Sequence, residues 1–185
     1  MSQTLKATIE PTAPQTTATG SAVVLSIASA RRRRLRRAAS GTGIRVVIVS
    51  SQAITRAGLR VLLEDDAGVA VVGEAASVDE GAGIVDSTET DVVLLDAGSL
   101  EPDPSACTRA LGRRAAVLLL TESESDDGVL AALRAGAAGV LAKDRHPAEL
   151  AFAVRTVASG GALLPPRTGR RLIAKLVNAT STVPC

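Results

Sequence analysis

The sequence predicts an α/β fold, a doubly wound parallel sheet with helices on both faces. The aliphatic run Val92–Leu95 lies between Asp91 and Asp96, which is typical of a short strand buried on both faces. Strand-like aliphatic runs and helical patterns alternate five times, as expected for parallel strands joined by right-handed crossovers. Aromatic residues make up 1% of the chain, so the core must be aliphatic.

The first half of the folded region begins with the β-branched strand Arg45–Val49. A helical pattern of apolar residues follows at Gln52–Glu64, and Val69–Ala75 reads as the second strand. Ser77–Asp86 is a weaker helix with a capping-box pattern at its start. The third strand, Asp91–Asp96, comes next.

The second half begins with a loop containing Pro and Gly, Ala97–Pro104, and a short helix to about Gly112. The strand Ala115–Leu120 and the helix Ser125–Ala135 follow, the helix with Gly136 at its carboxyl end. The remaining elements are the strand Gly139–Ala142, the helix Pro147–Val157 and the amphipathic segment Arg167–Val177.

Residues 1–43 differ in composition and are predicted to form a disordered basic arm. They carry a net charge of +6 and the run Arg31–Arg37, whereas residues 44–185 carry −4. The arginine run indicates either a nucleic-acid or anionic-lipid contact or an unselected tail, and both hypotheses stay open. A mildly acidic folded region has no general footprint for DNA.

Other compositional features exclude several kinds of site. Cys107 and Cys185 are far apart, and His146 is the single histidine, so no disulfide framework or metal cluster is indicated. The turn Ser50–Ala53 has no glycine and no Gly-Lys-Ser/Thr ending, which argues against a nucleotide-dependent enzyme. No apolar segment is long enough to span a membrane. We therefore expect a cytoplasmic protein that is not an enzyme.

Three strands end in residues that can carry chemistry: Asp96, Thr121 and Lys143. The carboxyl ends of parallel strands meet at one edge of a sheet, where ligands bind in such folds. A carboxylate, a hydroxyl and an ammonium suit phosphoryl transfer to the carboxylate, although a divalent cation is also needed to offset charge. The alternative is that Asp96 is only a turn residue.

The same residues carry a resemblance to a known family. The strand ending at Asp96, the segment Val117–Thr121 and the segment Ala135–Asp144 together resemble a bacterial response-regulator receiver domain. Thr55–Leu59, with Val71–Ala75 and Ala158–Gly161, is similar to the NarL/LuxR subfamily. The resemblance implies a flavodoxin-like (CheY-like) five-stranded sheet of order 2-1-3-4-5. It also implies Asp96 as phospho-acceptor, Thr121 as switch hydroxyl and Lys143 as phosphate contact.

The chain departs from the family pattern at positions that matter for phosphorylation. Ser50 and Ser51 stand where receivers carry two acids that bind Mg²⁺, so we expect Mg²⁺ to bind weakly at Asp96 and Gly98, if at all. One of the two serines is also a good cap for the following helix. Ser99-Leu100 and Val140 replace the usual Met-Pro and aromatic residue.

Two interpretations of the predicted pocket follow from these departures. Either Lys143 pairs with Asp96 in a static cluster, or Asp96 still accepts a phosphoryl group slowly from a histidine kinase. A third hypothesis is a pseudo-receiver that senses a small molecule.

The expected domains are the arm at 1–43, the receiver at 44–160, and a linker helix and tail at 161–185. Since few residues follow Val177, no helix-turn-helix fits, and the chain is a stand-alone receiver, a truncated product or a piece cut at the linker. Direct sequence-specific DNA binding is not expected. We predict a signalling module that dimerises or docks a regulator of transcription through the last receiver helix. The surface residues expected there are Pro147, Leu150, Ala151 and Val154.

Overall fold

The computed structural model describes residues 23–26, 43–99, 103–122 and 125–180. In these ranges the strands are β1 (Val23–Ser26), β2 (Ile44–Val49), β3 (Val69–Ala75), β4 (Val92–Asp96), β5 (Ala116–Thr121), β6 (Gly139–Ala142) and β7 (Gly161–Leu164). The helices are α1 (Ala53–Glu64), α2 (Val78–Ser87), α3 (Pro104–Gly112), α4 (Asp126–Arg134), α5 (Pro147–Ala158) and α6 (Pro166–Thr180). Each element predicted from the sequence is present, with ends that differ by at most three residues.

The strands form a single sheet of order β1-β7-β6-β5-β4-β2-β3. The five strands from β2 to β6 are parallel and follow the predicted order 2-1-3-4-5, so the predicted fold class is confirmed. Their pairing places the carboxyl ends of β2, β4, β5 and β6 at one edge of the sheet.

Two strands beyond the predicted five extend the sheet. Gly161–Leu164 runs parallel to β6, and Val23–Ser26 pairs with it in antiparallel orientation. The sheet therefore has two strands more than the predicted five, and the disorder predicted for residues 23–26 is wrong. Both strands have four residues and gain their order from backbone pairing with distant segments, which short-range patterns do not reveal. The Arg31–Arg37 run lies outside the described residues.

The core has two layers, because alternate residues of each strand face opposite sides of the sheet. On one side Val46 and Ile48 pack with residues of α1 and α5, such as Leu63 and Val154. On the other side Val47 and Val49 belong to the cluster that contains side chains of α2, α3 and α4. Burial on both faces explains why the strand sequences are continuous aliphatic runs.

Helix α5 contributes more to this core than the sequence analysis predicted. Leu150 and Val154, assigned above to an interaction surface, are 5% and 0% exposed and pack in the first layer. That assignment is wrong, since these two residues are the core stripe of an amphipathic helix. Pro147 is exposed and Ala151 is half-buried, so the outer surface of α5 differs from the one predicted. None of the described helices is both long enough and apolar enough to cross a bilayer.

Candidate functional site

The register of the sheet brings the three candidate residues to one edge. Asp96 is the last residue of β4 and pairs with Leu120, and Thr121 is the last residue of β5. The backbone N–H of Lys143 donates a 2.9 Å hydrogen bond to the carbonyl of Thr121. The predicted convergence of these strand ends is therefore confirmed.

Asp96 is 1% exposed, and both of its carboxylate oxygens have partners. Oδ1 lies 2.7 Å from Nζ of Lys143 and accepts a 3.2 Å hydrogen bond from the backbone N–H of Gly98. Oδ2 accepts a 2.8 Å hydrogen bond from the hydroxyl of Ser50. Such pairing is what a buried carboxylate requires, because an unpaired charge away from water is costly. The predicted ion pair between Lys143 and Asp96 is present.

Ser50 is buried and connects Asp96 to the neighbouring loop. Because its single hydroxyl proton goes to Asp96, its oxygen accepts from Ser99 Oγ, 3.1 Å away, and from the backbone N–H of Gln52 at 3.2 Å. The N-cap of α1 is Gln52, and no side chain caps the helix there. The expectation that one of the two serines is the N-cap is therefore wrong.

Ser51 and Ser99 fasten the loop after β2 to the loop after β4. Ser99 Oγ accepts a 3.1 Å hydrogen bond from the backbone N–H of Ser51, and the Ser51 hydroxyl donates to the carbonyl of Ser99 at 2.5 Å. The loop at Ser99 is one of the predicted departures from the family, but its bridging role was not predicted. A hydroxyl residue there is the only sequence signal for it. Leu100 lies outside the described residues.

Arg56 is a further residue of the site that the sequence analysis missed. Its guanidinium donates a 2.6 Å hydrogen bond to the carbonyl of Ser50, and Nε lies 3.7 Å from Glu74 of β3. Glu74 also pairs with Arg60, and its carboxylate, with that of Glu64, raises the pKa of that guanidinium. Through Arg56 these contacts link the loop that carries Ser50 to the end of β3.

The remaining candidates have different surroundings. Lys143 is 22% exposed at its side chain, and its Nζ lies 3.7 Å from the well-exposed Glu122. Thr121 is half-buried at the strand end. Val140 is 2% exposed and belongs to the core layer on the α2–α4 side. Val140 is therefore a core side chain rather than a surface group that could turn inward.

The donor set around Asp96 does not fit Mg²⁺. This cation is bound through carboxylates, phosphate oxygens and water, and it loses water reluctantly. Here one carboxylate is present, with Lys143 on one oxygen and Ser50 on the other. Within the described ranges, no group of three His, Cys, Asp or Glu side chains could hold a metal ion.

Comparison with known proteins shows which family the chain resembles. Residues 46–155 match the model of the response regulator receiver domain. DevR/DosR of Mycobacterium tuberculosis, a DNA-binding transcriptional activator, is 38% identical over 141 residues, which cover 74% of this chain and 64% of the relative. The nitrate/nitrite response regulator protein NarP of Escherichia coli is 34% identical over 134 residues, 71% of this chain and 62% of the relative.

A solved structure supports the same assignment. A two-component response regulator of the LuxR family from Aurantimonas sp. SI85-9A1 is 29% identical, with a TM-score of 0.66. The match covers 74% of this chain and 99% of that one. By contrast, this chain spans less than two thirds of the length of DevR/DosR and of NarP.

Proposed function

This chain belongs to the response regulator receiver domain family, and we propose that it is an atypical receiver that signals through protein–protein interaction without phosphorylation. It is a two-component response-regulator receiver with NarL/LuxR-type relatives that regulate transcription. The proposal concerns how this particular member works.

One observation carries the proposal: both oxygens of Asp96 are already engaged. An attacking carboxylate oxygen must be free to reach phosphorus, and the incoming phosphoryl oxygens need cationic compensation. Here the ammonium of Lys143 is paired with the nucleophile itself, and hydroxyls stand where a second and third carboxylate would hold a cation. The static cluster therefore supports one conformation of the domain rather than a switch between two.

Phosphotransfer to Asp96 can be tested directly. The full chain is incubated with Mg²⁺ and acetyl phosphate and then measured by intact mass spectrometry, with Asp96→Asn as the matched control. We expect no phosphoryl adduct in either protein. An adduct on the wild type that is absent from Asp96→Asn would contradict the proposal.

A second candidate function is a receiver phosphorylated on Asp96 by a histidine kinase, acting on transcription with an output domain. The specific observation in its favour is the position of Lys143 Nζ, 2.7 Å from Asp96, where it could follow a phosphoryl group. Thr121 also stands at the neighbouring strand end. The mass measurement above separates this function from the first.

We further propose that the chain forms a homodimer through α5, with a surface corrected by the structure. A groove lies between the end of α1 and the start of α5 and is lined by Leu62, Ala151 and Arg155, among others. Phe152 of α5 and Val61 of α1 are 52% and 68% exposed. Arg155 pairs with Asp66 across the groove. A two-fold dimer brings the same patch of both subunits together, so a patch that carries both charges and exposed apolar groups can pair with its own copy.

The dimer is tested by analytical ultracentrifugation of Phe152→Glu. A buried charge at the centre of the contact should weaken association by about tenfold or more. Ile54→Glu is the matched control, because Ile54 is 89% exposed at the opposite end of α1. Equal association of both variants and the wild type, or a monomeric wild type, would contradict the dimer.

Three further proposals about function have their own tests. A metabolite bound in the altered pocket would be detected by thermal-shift screening, and a cytoplasmic location by fractionation. Docking to a kinase or a partner regulator remains a prediction of the same kind. None of these three outcomes would change the contacts of Asp96 described above.

A further inference from the structure

A second charged region lies at the same edge of the sheet, in a cleft between the starts of α4 and α6. The cleft has a volume of about 790 Å³. Its lining consists of Ser125, Asp126, Arg145, Pro165, Arg167, Arg170 and Arg171. Among the described residues of this lining, four guanidinium groups share the cleft with one carboxylate.

Asp126, whose carboxylate lines the cleft, already has partners for both oxygens. Oδ1 of Asp126 accepts a 2.8 Å hydrogen bond from the hydroxyl of Thr168, and Oδ2 pairs with Arg171. Thr168 is 2% exposed, so this contact holds α6 against α4. Asp126 thus compensates Arg171, and its carboxylate makes neither of these contacts with the two other arginines of α6 that line the cleft, Arg167 and Arg170.

The arginines of α6 interact unfavourably with one another and with the dipole of their own helix. Arg167, Arg170 and Arg171 are spaced i, i+3 and i+4, so they lie on one face of α6, where like charges repel. They also lie in the first two turns of α6, where no acid is present in the first turn to offset the positive end of the helix dipole. The start of α4 at the same cleft differs, because Asp126 and Asp127 in its first turn offset the helix dipole.

We propose that this cleft binds a small ligand that carries two or more phosphate groups. Guanidinium groups bind phosphate oxygens in bidentate geometry, which makes arginine the preferred cation for such ligands. The volume is within the range of sites for nucleotide-sized molecules. None of the described residues that line the cleft is aromatic, so recognition rests on the phosphates rather than on stacking of a base.

The charge distribution of the chain favours a small ligand over DNA. Residues 44–185 carry a net charge of −4, which opposes approach of an extended polyanion. A concave site with a local positive charge concentrates its field on a ligand small enough to enter it. The proposed site does not involve Asp96 and is independent of the proposed function.

The test measures binding of inorganic triphosphate by isothermal titration calorimetry. All proteins are the full chain with Arg31, Arg32, Arg33, Arg34, Arg36 and Arg37 changed to Gln, which removes the other arginine cluster. In this background Arg167→Ala/Arg170→Ala is compared with Arg109→Ala/Arg113→Ala. The control pair lines a different groove on α3 and removes the same charge. Arg171 is retained because it contacts Asp126.

We expect the α6 pair to weaken binding of triphosphate by about tenfold or more, because each arginine donates charge-assisted hydrogen bonds. The α3 pair should change the Kd for triphosphate by no more than about twofold relative to the parent, because it removes the same two charges at a distance from the cleft. Absence of binding to the parent, or an equal loss in both variants, would overturn the proposal. The proposal would also be overturned if the protein bound a DNA duplex through Arg167 and Arg170 but did not bind triphosphate. Circular dichroism and the milder pair Arg167→Gln/Arg170→Gln verify that lost binding is not lost folding.

Discussion

The pocket at Asp96 and the cleft at Asp126 are built from the same three kinds of group. Each aspartate accepts a hydrogen bond of 2.8 Å from a hydroxyl, Ser50 in the pocket and Thr168 in the cleft. Each also pairs with one cation, Lys143 or Arg171. The difference lies in what surrounds the trio. In the pocket Lys143 also lies 3.7 Å from the exposed carboxylate of Glu122, whereas three further arginines line the cleft.

The two regions differ in how far their charged groups are buried and paired within the protein. In the pocket a fully buried carboxylate has partners for both oxygens, which makes the cluster part of the core. In the cleft the aspartate is 29% exposed at its side chain and Arg171 is 72% exposed, so water screens their pair. The aspartate, hydroxyl and cation therefore form part of the core at Asp96, whereas at Asp126 they attach α6 to α4 beside the proposed ligand site.

The largest expected effect is loss of the buried partner in the pocket. Lys143→Met leaves Asp96 as a buried charge and should lower the free energy of unfolding by roughly 3 kcal/mol. The matched change in the cleft, Arg171→Met, should cost about 1 kcal/mol or less. Urea denaturation followed by circular dichroism gives both values. Equal losses in the two variants would remove the distinction between pocket and cleft.

A second change would place uncompensated carboxylates in the pocket at Asp96. Ser50→Asp/Ser51→Asp places carboxylates beside Asp96 and should lower stability by about 2 kcal/mol without metal, since like charges are brought together out of water. Millimolar Mg²⁺ should then restore stability, by about 2.7 kcal/mol at a hundredfold excess over Kd. The wild type should show no such dependence on Mg²⁺ in a thermal-shift assay. A wild type stabilised as strongly as the variant would contradict our description of the donor set.

A smaller effect is expected from the hydroxyl that docks α6. Thr168→Val removes the hydrogen bond to Asp126 while keeping the volume of the side chain, and should cost about 1 kcal/mol. Because Asp126 is partly exposed, water can take the vacated position. Hydrogen exchange should show faster opening of α6 than of α4. Unchanged exchange in α6 would mean that Thr168 does not hold the helix.

The smallest effect has the opposite sign. Arg167→Gln/Arg170→Gln removes repulsion along α6 and should raise the free energy of unfolding by about 0.2–0.5 kcal/mol at low salt. Near 1 M salt the gain should vanish, because charges are then screened within about 3 Å. Arg109→Gln/Arg113→Gln on α3 is the matched pair. A loss of stability in the α6 pair at low salt would show that these arginines serve the fold.

The sequence sufficed for much of the fold and for part of the pocket. Aliphatic runs with polar ends, such as Val92–Asp96, carry a local signal for both the strand and the residue it delivers to the sheet edge. The pairing of Asp96 with Lys143 follows once the strand ends are placed together. These features depend on residue type and period, which a single sequence contains.

The remaining features depend on contacts that are distant in sequence. Nothing local marks Ser99 as the partner of Ser50 and Ser51, because a loop conformation decides which hydroxyls meet. Leu150 and Val154 were placed on a surface although their spacing also fits a core stripe, and the packing of α5 on the sheet decides between the two. The cleft requires α6 to lie beside α4, which no motif in either helix indicates.

The short strand Val23–Ser26 has a consequence for any shortened form of the protein. It covers the outer side of Gly161–Leu164, whose backbone would otherwise form an open margin of the sheet. A chain trimmed to begin at Ile44 would uncover those donors and acceptors, and an uncovered margin is a template for a neighbouring molecule. The shortened protein should therefore self-associate at high concentration by adding a strand to Gly161–Leu164, which Val23–Ser26 covers in the intact chain.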